Sequence, residues 1–280
     1  MQSGQTANLK ALTERIRDIE RKPIGWDSGD DHDRATISTG WRDVDRMLSD
    51  SQDAFTTDHK AAGLLNGSVH EWIGVDFPVI GSSASRNWVP PLAILTHLAS
   101  RSIPTTAETG GSVVWVGRNM WPYPWLTVRL HGGMGRLLNQ SIFLDPPDAS
   151  SRLWAIERAL RCPANVAVIA DCAGMGITET RRLQLAAKQG QTLGLTTRPP
   201  HEQSMLSAAT TRWHVTGLRG HDRPAWGITL LAAKGSQPIS SHGRQTDWTL
   251  EWNHATSTIG TVSDMVYRLN DTRTRQVKVS

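Results

Sequence analysis

Cysteine is scarce in this chain: Cys162 and Cys172 are the only two among 280 residues. Two thiols cannot staple a secreted disulfide scaffold. Set ten residues apart across an apolar run, they also lack the spacing of a metal site. No apolar run approaches the roughly 18 residues that a membrane-spanning helix needs. Met1-Gln2-Ser3-Gly4-Gln5 shows no basic stretch leading into an apolar one, so no secretory leader is expected. The expectation is a cytoplasmic protein. Ten histidines are scattered without ligand spacing, and Gly-x-Ser-x-Gly, His-Glu-x-x-His and paired catalytic carboxylates are absent. His70 and His97 fall in predicted structured elements and read as polar edge positions.

What is present suits one substantial domain with extensions. Charge is placed unevenly: residues 1–60 carry a net −3 and residues 61–280 a net +7. An acidic leader before a basic core is compatible with contact to nucleic acid or to an acidic protein, and equally with a solvated basic surface. Twelve tryptophans recur mostly at apolar positions of predicted elements, which places them in a core more than on a base-stacking platform.

Periodicity organises the rest. Leu9, Leu12, Ile16 and Ile19 fall on one face of a helix predicted from Asn8 to Arg21, stopped by Pro23 and Gly25. Residues 25–35 and 49–62 are polar and read as loops or linkers. From Ser68 onward strands and helices alternate. Strands are predicted at 69–73, 113–116, 142–144, 166–171 and 193–197. Helices are predicted at 90–99, at 150–160 with Leu153, Trp154, Ile156 and Leu160 inward, and at 178–189 with Thr178 as cap and Gly190 as stop. After Pro199-Pro200, strands at 211–215, 226–232 and 248–252 follow one another without helices. Repeated β-α units followed by bare strands predict a mainly parallel sheet covered on both faces, with an antiparallel extension. The predicted organisation is an N-terminal helix and linker over 1–60, a core over 61–260 and a basic tail over 261–280.

These segments carry a resemblance. Thr36-Ile37-Ser38-Thr39-Gly40 with Asp45, Met47 and Leu48, then Gly63-Leu64-Leu65-Asn66-Gly67 and a strand ending in Gly74, look like the start of a RecA-type recombinase core. Gly111 to Pro124 (GSVVWVGRNMWPYP), Asp145 to Ala159 (DPPDASSRLWAIERA), Arg181 to Ala187 (RRLQLAA), Leu193-Gly194 and Arg198-Pro199 extend it. Together the chain resembles the ImuA family, RecA-like accessory proteins of bacterial mutagenic translesion synthesis, over about residues 8–255; the cell-division inhibitor SulA looks similar over the same core. The resemblance implies an α/β fold with a RecA-like three-layer core.

A RecA-type ATPase has a G-x-x-x-x-G-K-[ST] loop, whose backbone cradles phosphates while Lys and a hydroxyl handle charge and magnesium. The best frame here is Gly81-Ser82-Ser83-Ala84-Ser85-Arg86-Asn87-Trp88. Arg86 replaces the second glycine, Asn87 the lysine and Trp88 the hydroxyl. An anion can still be imagined at Ser82, Ser83 and Arg86. The second core strand runs into Gly117-Arg118-Asn119, where such ATPases place a catalytic acid. Asp171 stands at the Walker B position and reads as a relic that caps the next turn. The expectation is a protein that is not an enzyme and uses no cofactor.

The basic residues are the remaining lead. Arg118 and Arg198 end predicted strands, where ligands gather in open α/β sheets, and Arg181 and Arg182 open a helix nearby. With Arg273 and Arg275 they are the candidate contacts for DNA or a partner, and the 8–21 helix is the candidate partner helix. By resemblance the partners are an ImuB-type Y-family polymerase homologue and an error-prone C-family polymerase, with RecA and DNA as further candidates at the nucleoid. No membrane is implied, and homo-oligomerisation stays open. The alternatives are a nucleotide-independent DNA-binding RecA paralogue, a SulA-like division inhibitor and a cryptic ATPase.

Overall fold

The computed structural model describes residues 35–52, 62–76, 88–104, 111–122, 134–218, 223–234, 246–254, 256 and 258–262. The chain divides into two compact units, Met1–Arg34 and Ala35–Ser280. The first lies outside the described residues, and with it the helix expected over 8–21. The loop carrying Gly81, Ser82, Ser83, Ser85 and Arg86 and the tail carrying Arg273 and Arg275 lie outside them as well. Residues 35–52 belong to the larger unit.

The larger unit is an α/β sandwich. Its strands are β1 (Thr36–Ile37), β2 (Leu64–Leu65), β3 (Val69–Ile73), β4 (Val75–Asp76), β5 (Trp88–Val89), β6 (Ser112–Val116), β7 (Ser141–Leu144), β8 (Asn165–Asp171), β9 (Leu193–Arg198), β10 (Thr211–Leu218), β11 (Ala225–Ala233), β12 (Asp247–Asn253) and β13 (Thr258–Thr261). Its helices are α1 (Arg42–Gln52), α2 (Leu92–Ser102), α3 (Met134–Asn139), α4 (Ala149–Arg161) and α5 (Ile177–Gly190). Nine strands form one sheet in the order β13-β12-β11-β10-β3-β9-β8-β6-β7. From β10 to β7 the pairings are parallel, and from β10 to β13 antiparallel. The first long strand, β3, is thus enclosed in the middle of the sheet and buried along its whole length.

Alternation along the strands builds two cores. Val113 and Trp115 of β6 and Ala167 and Ile169 of β8 face a cluster with Trp41, Val44 and Leu48 beside and on α1 and Ile94, Leu95 and Leu98 on α2. Val114, Val116, Val168 and Ala170 face the opposite side, against Ile156 and Leu160 of α4 and Leu183 of α5. The antiparallel strands feed only the first core, through Trp213, Ile228, Leu230, Trp248, Leu250 and Trp252. Six of the ten described tryptophans are buried in the core, as expected: Trp72 stacks on Trp213 at 5.1 Å, and Trp41 donates to the Ile259 carbonyl at 3.0 Å. Trp154 departs from expectation. It sits on the outward face of α4 and is 61% exposed, because Ala155, Ile156, Ala159 and Leu160 occupy the inward arc.

The helix ends follow local chemistry. Asp148 caps α4, its carboxylate accepting from the Ser151 N–H at 2.9 Å and Oγ at 2.8 Å, and both bonds hold its pKa below the usual value. The helix α5 starts one residue before Thr178: Gly176 is the cap, and Glu179 accepts from its N–H at 2.9 Å. Gly190 is the last helical residue. A Cβ there would lie 2.0 Å from the Leu160 carbonyl, so close helix approach, not a left-handed turn, demands glycine.

The Ile37-Ser38-Thr39-Gly40…Asp45 motif is a clasp. Asp45 accepts from the Ser38 Oγ at 2.7 Å, the Thr39 N–H at 2.8 Å and the Thr39 Oγ1 at 2.7 Å. From α2, His97 Nε2 donates to the Thr39 carbonyl (2.8 Å) and Arg101 Nε to the Ser38 carbonyl (2.6 Å). His70 and His97, expected at polar edges, are both buried, and burial pushes each pKa down to about 4. His70 is neutral in its place: Nε2 donates to the Leu65 carbonyl, and Nδ1 accepts from Thr211 Oγ1, which itself accepts from Trp213 Nε1.

Both histidines take up protons in the unfolded chain below about pH 6.5 and in the folded one only near pH 4. Their contribution is therefore complete above pH 6.5 and is lost as pH falls towards 4. Melting curves from pH 7.5 to 4.5 are expected to show Tm falling on acidification, with a shallower fall in His97→Gln; an equal slope in that variant would remove His97 from the account.

Candidate functional site

The C-terminal ends of the parallel strands are where an α/β sheet gathers ligands, and here they are tied down. Strand β6 runs into Gly117, whose φ of +127° favours glycine and whose Cβ position lies 3.0 Å from the Asp171 Cβ. The next residue, Arg118, has an 84% exposed side chain, with Nε 3.7 Å from the Asp145 carboxylate after β7. Asp171 at the end of β8 caps its own turn: Oδ1 accepts from the Ala173 N–H at 2.9 Å. Its Oδ2 lies 3.6 Å from Arg152 Nη1, and Arg152 Nη2 donates to the Ala173 carbonyl at 3.2 Å. The neighbouring thiol of Cys172 is buried, which pushes its pKa up and leaves it unreactive.

Arg198 requires a correction. Expected as a DNA or partner contact, it is fully buried, because β9 lies between β3 and β8 and turns the side chain inward. Its Nε meets Glu71 Oε2 at 2.6 Å, Nη1 meets Glu202 Oε2 at 3.2 Å, and Nη2 donates to the Met175 carbonyl at 2.6 Å. Glu71 in turn takes Arg212 Nε at 2.7 Å and Ser207 Oγ at 2.9 Å. Glu202 accepts from the Gly174 N–H at 2.9 Å. Two carboxylates and two guanidiniums, nearly all out of water, thus join β3, β9 and β10 to the loops after β8 and β9.

Sequence reasoning missed Glu71, Glu202 and Arg212. One signal was available: Glu71 is a carboxylate inside Val69-His70-Glu71-Trp72-Ile73, an otherwise strand-like run, and such a charge requires a buried cation. That Arg212 supplies one depends on register, Glu71 standing beside it across the β3–β10 pairing.

The remaining arginines do not converge. Arg182 is exposed on α5, its Nη2 2.6 Å from Glu157 Oε2, while Arg161 reaches Glu157 Oε1 at 2.8 Å. Arg181 is exposed beside it. Arg118, Arg182 and Arg198 engage carboxylates in different parts of the fold: Asp145, Glu157, and Glu71 with Glu202. Among the described residues no group of three or more His, Cys, Asp or Glu is arranged to hold a metal ion, and no helix is long and apolar enough to cross a membrane. A groove of about 410 Å³ opens elsewhere, along the antiparallel strands, between Thr216, Gly227, Thr229, Asp247 and Thr249.

Breaking a buried ion pair leaves an uncompensated charge and costs about 3–5 kcal/mol. Arg198→Met is expected to lose that much in urea unfolding, whereas Arg118→Ala, exposed and at 3.7 Å from its partner, stays within about 0.5 kcal/mol of the parent. Equal losses in the two variants would contradict the geometry. No protein-family model and no curated protein matches this chain.

Proposed function

We propose that this chain is a RecA-like accessory protein of SOS-induced mutagenic translesion DNA synthesis, an adaptor that acts through protein–protein contacts and turns over no nucleotide. The observation that carries the reading is the state of Asp171. A Walker B acid serves a magnesium shell, whereas this one accepts from the Ala173 N–H through Oδ1 and faces the Arg152 cation at 3.6 Å through Oδ2. The motif set points the same way: Gly117-Arg118-Asn119 supplies a cation where an ATPase of this type has an acid, and Asn87 stands where its lysine would be. A mostly parallel sheet between two helical layers, with antiparallel strands added at one edge, is the architecture that the RecA-type resemblance implies.

On this reading the partners are an ImuB-type Y-family polymerase homologue and an error-prone C-family polymerase, met in the cytoplasm at the nucleoid. A second reading, a nucleotide-independent DNA binder, draws on the exposure of Arg118, Arg181 and Arg182.

Co-expression with an ImuB-type protein is expected to give a complex that survives gel filtration without nucleotide. Absence of a complex, together with DNA affinity that falls steeply with salt, would replace the adaptor by the DNA binder.

A further inference from the structure

The outward surface of α4 and α5 is set apart by charge. The two helices carry six Arg/Lys against two carboxylates, a net of +4, which equals the formal charge of the whole chain. Both acids are committed. Glu179 holds the start of α5, and Glu157 lies buried between Arg161 and Arg182. The exposed face is therefore cationic, with Arg158, Arg161, Arg181 and Arg182 on it.

The same face is also apolar. Trp154 (61%) and Leu185 (52%) are the two most exposed large apolar side chains among the described residues, and Ile177 on α5 adds a third. Trp154 is already held, with the Arg158 guanidinium 5.8 Å from its ring centroid. Exposed tryptophan flanked by arginine is the composition of an interface centre, not of a solvated helix.

We infer that the α4–α5 surface docks an acidic amphipathic segment of a partner protein. The segment's carboxylates meet Arg158, Arg161 and Arg182, and its apolar side chains cover Trp154 and Leu185. Charge complementarity selects an acidic ligand. Glu157 shows the form of that recognition, one carboxylate gripped by two guanidiniums at 2.6 and 2.8 Å. Apolar side chains select a protein over nucleic acid, since phosphates offer nothing to Leu185 and Ile177. The two helices pack side by side, so one amphipathic helix can lie across both. The inference rests on the adaptor reading and adds the surface and the chemistry of the partner.

The test uses a fluorescein-labelled synthetic helix with Glu on one face and Leu and Phe on the other, read by anisotropy against the full chain. A scrambled peptide of the same composition and a single-stranded oligonucleotide serve as competitors. Binding of the amphipathic peptide is expected, weakened about tenfold by Trp154→Ala and by Arg158→Glu, and unchanged by Arg118→Glu. All three side chains are exposed, so circular dichroism should show the fold retained. No binding, binding indifferent to Trp154 and Arg158, or displacement by the oligonucleotide but not by unlabelled peptide would overturn the proposal. Its failure is distinguishable from that of the adaptor. If Trp154→Ala/Arg158→Glu still forms the polymerase-homologue complex, this surface is wrong and the adaptor stands. If the peptide binds through Trp154 but no such complex forms, the surface stands and the translesion reading falls.

Discussion

The buried pairing of Glu71 with Arg198 is the constraint on which the larger unit depends. A carboxylate and a guanidinium held out of water lose hydration worth several kcal/mol each. They persist only because each finds further partners: Glu202 and the Met175 carbonyl for Arg198, Arg212 and Ser207 for Glu71. Those partners come from β10 and from the loops after β8 and β9. One network therefore fixes the place where the enclosed parallel strands meet the antiparallel extension. A hydrophobic replacement would pack there as well, but would leave the two loops without their anchors. The network contributes position more than net stability.

That anchoring bears on the site. With the 199–205 loop tied through Glu202 and the 172–176 loop through Gly174 and Met175, the strand ends are braced from within. Asp171 is closed into its own turn, and Arg118 faces solvent beside Asp145. The strand ends carry their charges beside opposite ones, and exposed arginines cluster on the outer faces of α4 and α5. On the proposed reading, a site for nucleotide has given way to surfaces for partners.

Much of the layering was legible in the sequence, because period-2 and period-3.6 patterns report burial directly. The runs at 113–116 and 166–171 became β6 and β8, and the bare strands after Pro199-Pro200 became the antiparallel extension. What failed were single residues whose environment is set by distant chain. Trp154 counts as apolar in any pattern, yet only the rotation of α4 decides that it faces water. His70 and His97 look polar, yet Leu65, Thr211 and Thr39 give them buried partners. Arg198 ends a strand as a ligand-binding arginine would, and only the pairing of β9 with β3, which brings Glu71 beside it, turns it into an internal counter-ion. The end of α1, residues 49–52, looks like linker in the sequence because the helix is polar apart from the few residues, Val44 and Leu48, that dock it.

The central claim is that this core turns over no nucleotide and works through its surfaces. Thermal denaturation with and without ATP and magnesium tests it most directly, since any ligand that binds only the folded state raises Tm. The account predicts an unchanged Tm. A rise with ATP that disappears in Asp171→Ala would contradict it and restore Asp171 as a working acid.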